Sequence, residues 1–205
     1  MENKIVLATS NLGKIAEIEL ALRSLPFTLL PQDHFSIPIC EETGLSFIEN
    51  ALQKARHTSK HTKLPALADD SGLIVPALND EPGLYSARYA GQNVDRQAHW
   101  QKLLTKLREK NHPERKAYFY CCLVFMKHEN DPTPLIAEGL WEGMIGFEPQ
   151  GEEGFGYDPL FYLPQLQCTA AQLSLEEKNK ISHRAKALMK LKDALLQLDQ
   201  NKPSF

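Results

Sequence analysis

The sequence predicts a mixed α/β sheet with helices packed around it, and three observations carry that expectation. Short apolar strands alternate with helical segments through the first half of the chain. Two longer apolar strands, 116–127 and 134–142, then follow one another directly. The loops rich in polar or glycine residues each follow a strand. Ligands of such sheets gather near the strand ends. A length of 205 residues suits one domain or one two-lobed domain, here residues 1–205.

Residues 4–9, KIVLAT, read as a short buried strand. Asn11–Gly13 make a turn, after which Ile15, Ile18, Leu22 and Leu25 recur at helical spacing over residues 14–25. Residues 27–30 form a second short strand, and 31–45 a loop that carries Glu41 and Glu42. Ser46, with Glu49 three residues on, is a capping box and starts a helix running to about His61. Residues 66–69 and 73–75 are short strands on either side of a turn at DDSG. Residues 79–93 form a loop with Gly, Tyr and Arg, and 95–110 a helix. The strands 116–127 and 134–142 join through DPTP as a hairpin. Ser174 with Glu177 is a second capping box, and a helix from about 183 to 198 closes the chain.

Composition excludes several classes. Hydrophobic content of 42% with 24% charged residues is that of a globular chain. No apolar run reaches the roughly 20 residues of a membrane span, and MENKIVLATS lacks the long apolar stretch of a signal peptide. A net charge of −3 argues against a general nucleic-acid binder, yet leaves room for an anionic small ligand met by local cations. Cys40, Cys121, Cys122 and Cys168 have no metal-binding spacing, so they read as thiols in a reducing cytosol.

The segment GEEGFGYDPLF, 151–161, is the most informative. Glycines at 151, 154 and 156 allow positive φ and close approach of backbone to a ligand. Phe155 or Tyr157 offers a flat face to a planar ring, and Asp158 accepts hydrogen bonds from ring N–H groups. An aromatic-stapled turn between strands is the alternative for this segment alone. Thr9-Ser10-Asn11-Leu12-Gly13-Lys14 joins a strand to a helix without being a Walker A loop. Amides at a helix N-terminus bind anions, whereas the helix dipole disfavours Lys14 there by about 0.3–1 kcal/mol, a sign that a bound anion reverses. A solvated lysine after an ordinary turn fits equally. Ser182-His183-Arg184 repeats the anomaly at the last helix, unless the preceding helix runs straight through. Lys178 lies about a turn earlier.

Ala68-Asp69-Asp70-Ser71-Gly72 puts two carboxylates between apolar segments, which is costly unless they bind a cation or stay solvated. Oxygen-only ligands suit Mg²⁺ or Mn²⁺. A polar β-turn is the alternative. Glu41 or Glu42 is placed to add a ligand. Lys54 lies on the second helix with Asn50 one turn before it on the same face. Together these motifs describe a nucleoside triphosphate site with its own metal.

In order along the chain, TSNLGK, EETGLSFIENALQKA, ADDSGL, PGLYSARYAG, GFGYDP and SHRAKAL resemble the nonstandard-purine NTP pyrophosphatase family, from about residue 5 to residue 195. Ser10 stands where many members carry Gly. The resemblance implies two lobes with the active site in the cleft between them, a cytoplasmic homodimer, and Mg²⁺-dependent hydrolysis of ITP, dITP and XTP to the monophosphate and pyrophosphate, which cleanses the nucleotide pool. It implies no nucleic-acid or membrane partner. Carried over residue by residue, Thr9, Ser10, Asn11, Leu12, Gly13, Lys14 and Lys54 hold the triphosphate. Glu41, Asp69 and Asp70 sit at the metal, with Asp70 also the general base and Ser71 beside the substrate. Phe155, Gly156, Tyr157, Asp158, Lys178, His183 and Arg184 form the base pocket. A 6-oxo purine then meets donors such as Arg184 or His183, whereas adenine leaves a buried donor unpaired. A non-catalytic purine-nucleotide sensor on the same fold is the rival reading. It predicts degraded carboxylates, and Glu41, Asp69 and Asp70 are all present.

Overall fold

The computed structural model describes residues 4–110 and 114–200. The elements are β1 (Lys4–Leu7), α1 (Leu12–Leu22), β2 (Thr28–Pro31), α2 (Phe47–Thr62), β3 (Ala66–Ile74), α3 (Arg96–Glu109), β4 (Lys116–Met126), β5 (Leu135–Ile145), β6 (Phe161–Leu163), β7 (Cys168–Thr169), α4 (Leu175–Ile181) and α5 (His183–Gln200). The strands form one sheet in the order β2-β1-β3-β4-β5-β6-β7. β1 runs parallel to β2, with Ile5 opposite Leu29, and to β3, with Val6 opposite Ala66. β6 is antiparallel to both β5 and β7. The sheet is therefore mixed, as the sequence predicts.

The chain folds into two compact units. The first holds the described residues up to Asp70, Cys121–Gly139 and those from Arg184 onward. Its core joins Ile5 and Leu7 of β1, Leu67 of β3 and Leu123 and Phe125 of β4 to Ile15, Ile18 and Leu22 of α1 and to Leu188, Leu191 and Leu195 of α5. Ile5, Val6 and Leu7 are all buried, as parallel strands covered on both faces require. The helical spacing of α1 is thus a packing stripe. The second unit holds Ser71–Tyr120 and Leu140–His183. Leu103 and Leu107 of α3 pack there with Phe119 of β4, Trp141 and Ile145 of β5, Tyr157, and Phe161 and Leu163 of β6.

Local signals set most boundaries. Ser46 caps α2 by accepting from Glu49 N, and Asp95 caps α3. Ser174 and Glu177 form the expected box at α4, Ser174 N donating to Glu177 Oε2 at 2.8 Å and Glu177 N to Ser174 Oγ at 3.3 Å. α4 does not run into α5. Ser182 is extended, with ψ 165, and its N–H closes on Lys178 O at 3.0 Å. α5 therefore opens at His183, with neither Gly nor Pro needed for the break.

One expectation fails at β3. The sequence predicts two short strands around a DDSG turn, but β3 is continuous from Ala66 to Ile74. Turn chemistry loses because Asp69 and Asp70 find cationic partners inside the fold, so the backbone gains nothing by bending to solvate them. No helix among the described residues is long and apolar enough to cross a membrane. All four cysteines are free thiols, with Cys121 and Cys122 buried in β4.

Within the second unit, Gly83–Arg88 forms a 3-10 turn inside the 79–93 stretch that the sequence predicts as loop. His99 of α3 holds the end of this segment, its Nδ1 accepting the Ala90 N–H at 2.9 Å. That bond needs a neutral ring. Burial, and then Lys102, depress the His99 pKa, while Asp95 opposes them. A histidine whose folded pKa is depressed stabilises the fold fully above its unfolded pKa, about 6.5, and loses that contribution as pH falls through it. The urea midpoint should accordingly drop further between pH 7.5 and 5.5 in the native chain than in His99→Gln. Parallel drops in the two proteins would show that His99 does not carry this stability.

Candidate active site

In the first unit the chain leaves β1 through Thr9–Asn11. Thr9 Oγ1 accepts from Asn11 N at 3.2 Å, and Asn11 Oδ1 accepts from Lys14 N at 3.1 Å, which caps α1. Ser10, Asn11 and Leu12 are exposed at the N-terminal, positive end of α1. The Ser10 hydroxyl donates to Asp33 Oδ1 at 2.6 Å and accepts from Gln32 Nε2 at 2.9 Å. Its carboxylate partner makes it a poorer phosphate ligand than its position in the motif suggests.

Lys14 turns inward. Its Nζ lies 2.5 Å from Asp69 Oδ1 and 3.4 Å from Asp69 O. The anion that offsets the α1 dipole at this lysine is therefore the chain's own Asp69. Arg184, at the start of α5, donates from Nε to Asp69 Oδ2 at 2.6 Å and from Nη2 to Asp69 Oδ1 at 3.4 Å, and its Nη1 pairs with Glu17 of α1. Cys121 of β4 adds its thiol to Asp69 Oδ2 at 3.3 Å. Asp69, Glu17 and Arg184 are all buried, Arg184 completely. Burial alone would raise Asp69, but Arg184 and then Lys14 hold it well below the ordinary carboxylate range. Burial and the adjacent Asp69 push the Cys121 thiol well up, so it stays protonated as a donor.

The neighbouring acid has the opposite environment. Asp70 shares Lys54 of α2 with Glu42: Nζ lies 2.7 Å from Asp70 Oδ1, 2.9 Å from Glu42 Oε1 and 2.9 Å from Asp69 O. Burial raises the Asp70 pKa, and Lys54 does not fully offset it. Asn50 does not pair with Lys54. Its Oδ1 accepts from Gly44 N at 2.8 Å and so ties the 41–44 loop to α2. Glu42, rather than the exposed Glu41, reaches the Lys54–Asp70 pair.

In the second unit Gly154 and Gly156 have φ of +72 and +58. A Cβ at Gly154 would lie 2.2 Å from Asp158 Oδ2. That oxygen closes the loop by accepting from Phe155 N at 2.8 Å and Lys178 Nζ at 2.5 Å. Asp158 and Lys178 are both buried, and Lys178 lies 4.6 Å from the centre of the Phe155 ring. Asp158 thus staples its own loop, while half-buried Phe155 and exposed Gly156 present the surface. Tyr157 is buried, and burial raises its hydroxyl pKa. His183 stacks on Phe119 at 4.8 Å and 14°. Ser71 is half-buried, directly after Asp70 in β3.

The expected residues therefore gather in two sets. Lys14, Lys54, Asp69, Asp70 and Arg184 meet in the first unit, and Phe155, Asp158 and Lys178 in the second. Arg184, expected at a base, has its guanidinium engaged by Glu17 and Asp69. Sequence reasoning missed Glu17 and Cys121. The available signals were an acid three residues after Lys14 on the apolar side of α1 and a thiol inside an apolar strand.

Among the described residues that meet in the first unit, the carboxylates of Glu17, Glu42, Asp69 and Asp70 face the cations Lys14, Lys54 and Arg184, which leaves one negative charge. Among the described residues no three His, Cys, Asp or Glu side chains converge as a metal site. Paired acids of opposed environment in one sheet strand, set among lysines, make a site suited to an anionic ligand. The chain belongs to the Ham1 family, whose family model matches residues 5–194. It is 55% identical over 192 residues to a Legionella pneumophila protein named dITP/XTP pyrophosphatase, covering 94% of this chain and 98% of that one. It is 53% identical to a protein of the same name from Haemophilus influenzae, covering 95% and 100%. A solved Ham1 protein from Coxiella burnetii superposes with a TM-score of 0.88 at 52% identity, covering 95% of this chain and 98% of that chain.

Removing one partner from a buried ion pair typically costs about 3–5 kcal/mol. Asp69→Asn should therefore lower the melting temperature by roughly 10 °C for a chain of this size, and Glu41→Gln by no more than about 2 °C, since Glu41 is exposed. Differential scanning calorimetry checks both. Equal, small shifts would mean that the Asp69 cluster does not hold the unit together.

Proposed function

We propose that this chain hydrolyses the nonstandard purine nucleoside triphosphates dITP, XTP and ITP to the nucleoside monophosphate and pyrophosphate, which keeps them out of DNA and RNA. One observation carries the chemistry: of two adjacent carboxylates of β3, Asp69 is held on both oxygens by Arg184 and Lys14, whereas Asp70 has only a lysine that it shares with Glu42. The dITP/XTP pyrophosphatase name of relatives more than half identical supports the substrate class.

In this reading water attacks the α-phosphorus. Its oxygen forms the new P–O bond as Asp70 takes its proton, the bond from the α-phosphorus to the bridging oxygen breaks, and the electron pair leaves on pyrophosphate. Lys54 orients the Asp70 carboxylate. Lys14, Thr9, Asn11 and the amides of residues 12 and 13 hold phosphate oxygens at the α1 N-terminus, with Ser10 contributing backbone. The lysines are already paired with acids, so a triphosphate needs a further cation. The carboxylates of Asp70 and Glu42, which Lys54 bridges, are the oxygen ligands that would hold Mg²⁺, with Mn²⁺ as a substitute, and the surplus negative charge favours a cation there. Asp69 fits less well as a ligand, because both its oxygens are taken by Arg184 and Lys14. A bound Mg²⁺ would polarise a phosphoryl oxygen and offset charge on the departing pyrophosphate.

Phe155 offers a stacking face, and Gly156 a backbone that approaches a purine closely. His183 keeps its place as a donor for a 6-oxo group, while Arg184 pairs with Asp69. The chain passes between its units four times, which supports one two-lobed domain over residues 1–205. A homodimer is the assembly we expect, and Leu140 and Met144 of β5, exposed on either side of Glu142, are apolar residues that a second copy would cover. A cytoplasmic location, with neither membrane nor nucleic acid as partner, accords with the four free thiols and the net charge of −3.

Hydrolysis of ITP in H₂¹⁸O with Mg²⁺ should give IMP carrying the label and unlabelled pyrophosphate. IDP and orthophosphate as products would exclude the reaction, and label in pyrophosphate would move the attack to the β-phosphorus. Asp70→Asn should lower kcat by roughly 10²-fold or more, the scale of a lost general base. Arg184→Lys should lower kcat/KM for ITP, GTP and ATP in parallel. A selective loss on ITP would return Arg184 to the base end.

A further inference from the structure

The segment PGLYSARYAG, 82–91, and Trp100 carry no role in the reaction described above, yet both bond to the FGYD loop inside the second unit. The Trp100 indole Nε1 donates to Gly156 O at 2.8 Å. The Tyr157 hydroxyl donates to Ser86 O at 3.1 Å. Ser86 is itself fixed, its Oγ donating to Gly83 O at 2.6 Å and accepting from Leu73 N of β3 at 2.9 Å. Lys102 Nζ donates to Tyr89 O at 2.5 Å. Two consecutive residues of the loop, 156 and 157, are thus gripped from α3 and from the 83–88 turn, and both supports rest on β3 or α3.

We infer that Trp100 and Ser86 are positioning residues for the purine-binding loop, which they set through Gly156 O and the Tyr157 hydroxyl. The inference rests on the function proposed above. Gly156 has a positive φ and nothing within 4 Å of where a Cβ would stand, so side-chain packing does not hold this residue. Its carbonyl is the handle that does, and Trp100 supplies the donor. With the carbonyl fixed, the Phe155 ring and the Gly156 backbone keep one orientation in the free enzyme. The purine then binds without first ordering the loop, which lowers KM and leaves the proton transfer at Asp70 untouched.

Trp100→Phe keeps an aromatic ring in the core but removes the N–H, and Tyr157→Phe removes the hydroxyl that reaches Ser86. In ligand-free protein, hydrogen exchange across residues 151–160 should quicken about three- to ten-fold in each variant, the span of one lost hydrogen bond. KM for ITP should rise by the same factor with kcat held, whereas a general folding defect lowers the active fraction and so kcat at constant KM. Trp100→Leu is a second probe should the phenylalanine repack. Unchanged exchange in all variants overturns the clamp. Faster exchange with an unchanged KM overturns its role in purine binding. Native protein that releases no pyrophosphate from ITP would sink the proposed function instead, while the exchange result still decides the clamp.

Discussion

Asp69 lies in the middle of a sheet strand with its side chain wholly enclosed, and Arg184 is the counter-charge that permits it to be there. An unpaired carboxylate in that position would cost several kcal/mol and would protonate. With Arg184 on one side and Lys14 on the other, it stays an anion far below its ordinary pKa. The cost of burying Arg184 is met in the same way by Glu17 and Asp69, which together keep its charge secure. One cluster therefore ties α1, β3, β4 and α5 at a single point. The hydrophobic core around it is made of the same elements, so apolar burial and charge pairing agree on one arrangement.

The neighbouring acid has no such dedicated partner. Asp70 follows on the same strand, and Lys54 is shared among Asp70, Glu42 and the Asp69 carbonyl. A lysine divided among three acceptors stabilises each less than a dedicated partner would. Burial then prevails, and the Asp70 pKa rises. Two identical side chains, adjacent in sequence, thereby separate into one with dedicated cations and one that shares its cation. Their difference lies in the number and exclusivity of cations, not in residue type.

The FGYD loop follows the same logic with less charge. Three glycines give it positive φ, which alone would leave it with many conformations. Asp158 closes it by taking Phe155 N and Lys178 Nζ on one oxygen, and Trp100 and Ser86 hold the next two residues. The residues that read as ligand contacts, Tyr157 and Asp158, are largely the loop's own scaffold. The surface they leave open belongs to Phe155 and Gly156.

Patterns that act over a few residues were legible in the sequence alone. The caps at Ser46 and Ser174, the apolar spacing of α1, the strands β4 and β5 and the ordered motifs of the family each depend on neighbours along the chain, and each was readable there; the mixed sheet followed from the order of those strands and helices. Pairings over long separations were not. Nothing in DDSG says that β3 runs straight, because the cations that remove the need for a turn come from Lys14, Lys54 and Arg184, far away in sequence. Nor could spacing distinguish Glu42 from Glu41, or show that Arg184 pairs with Asp69. Buried charge is settled by whichever opposite charge the fold brings within about 3 Å, and only the tertiary structure fixes that distance.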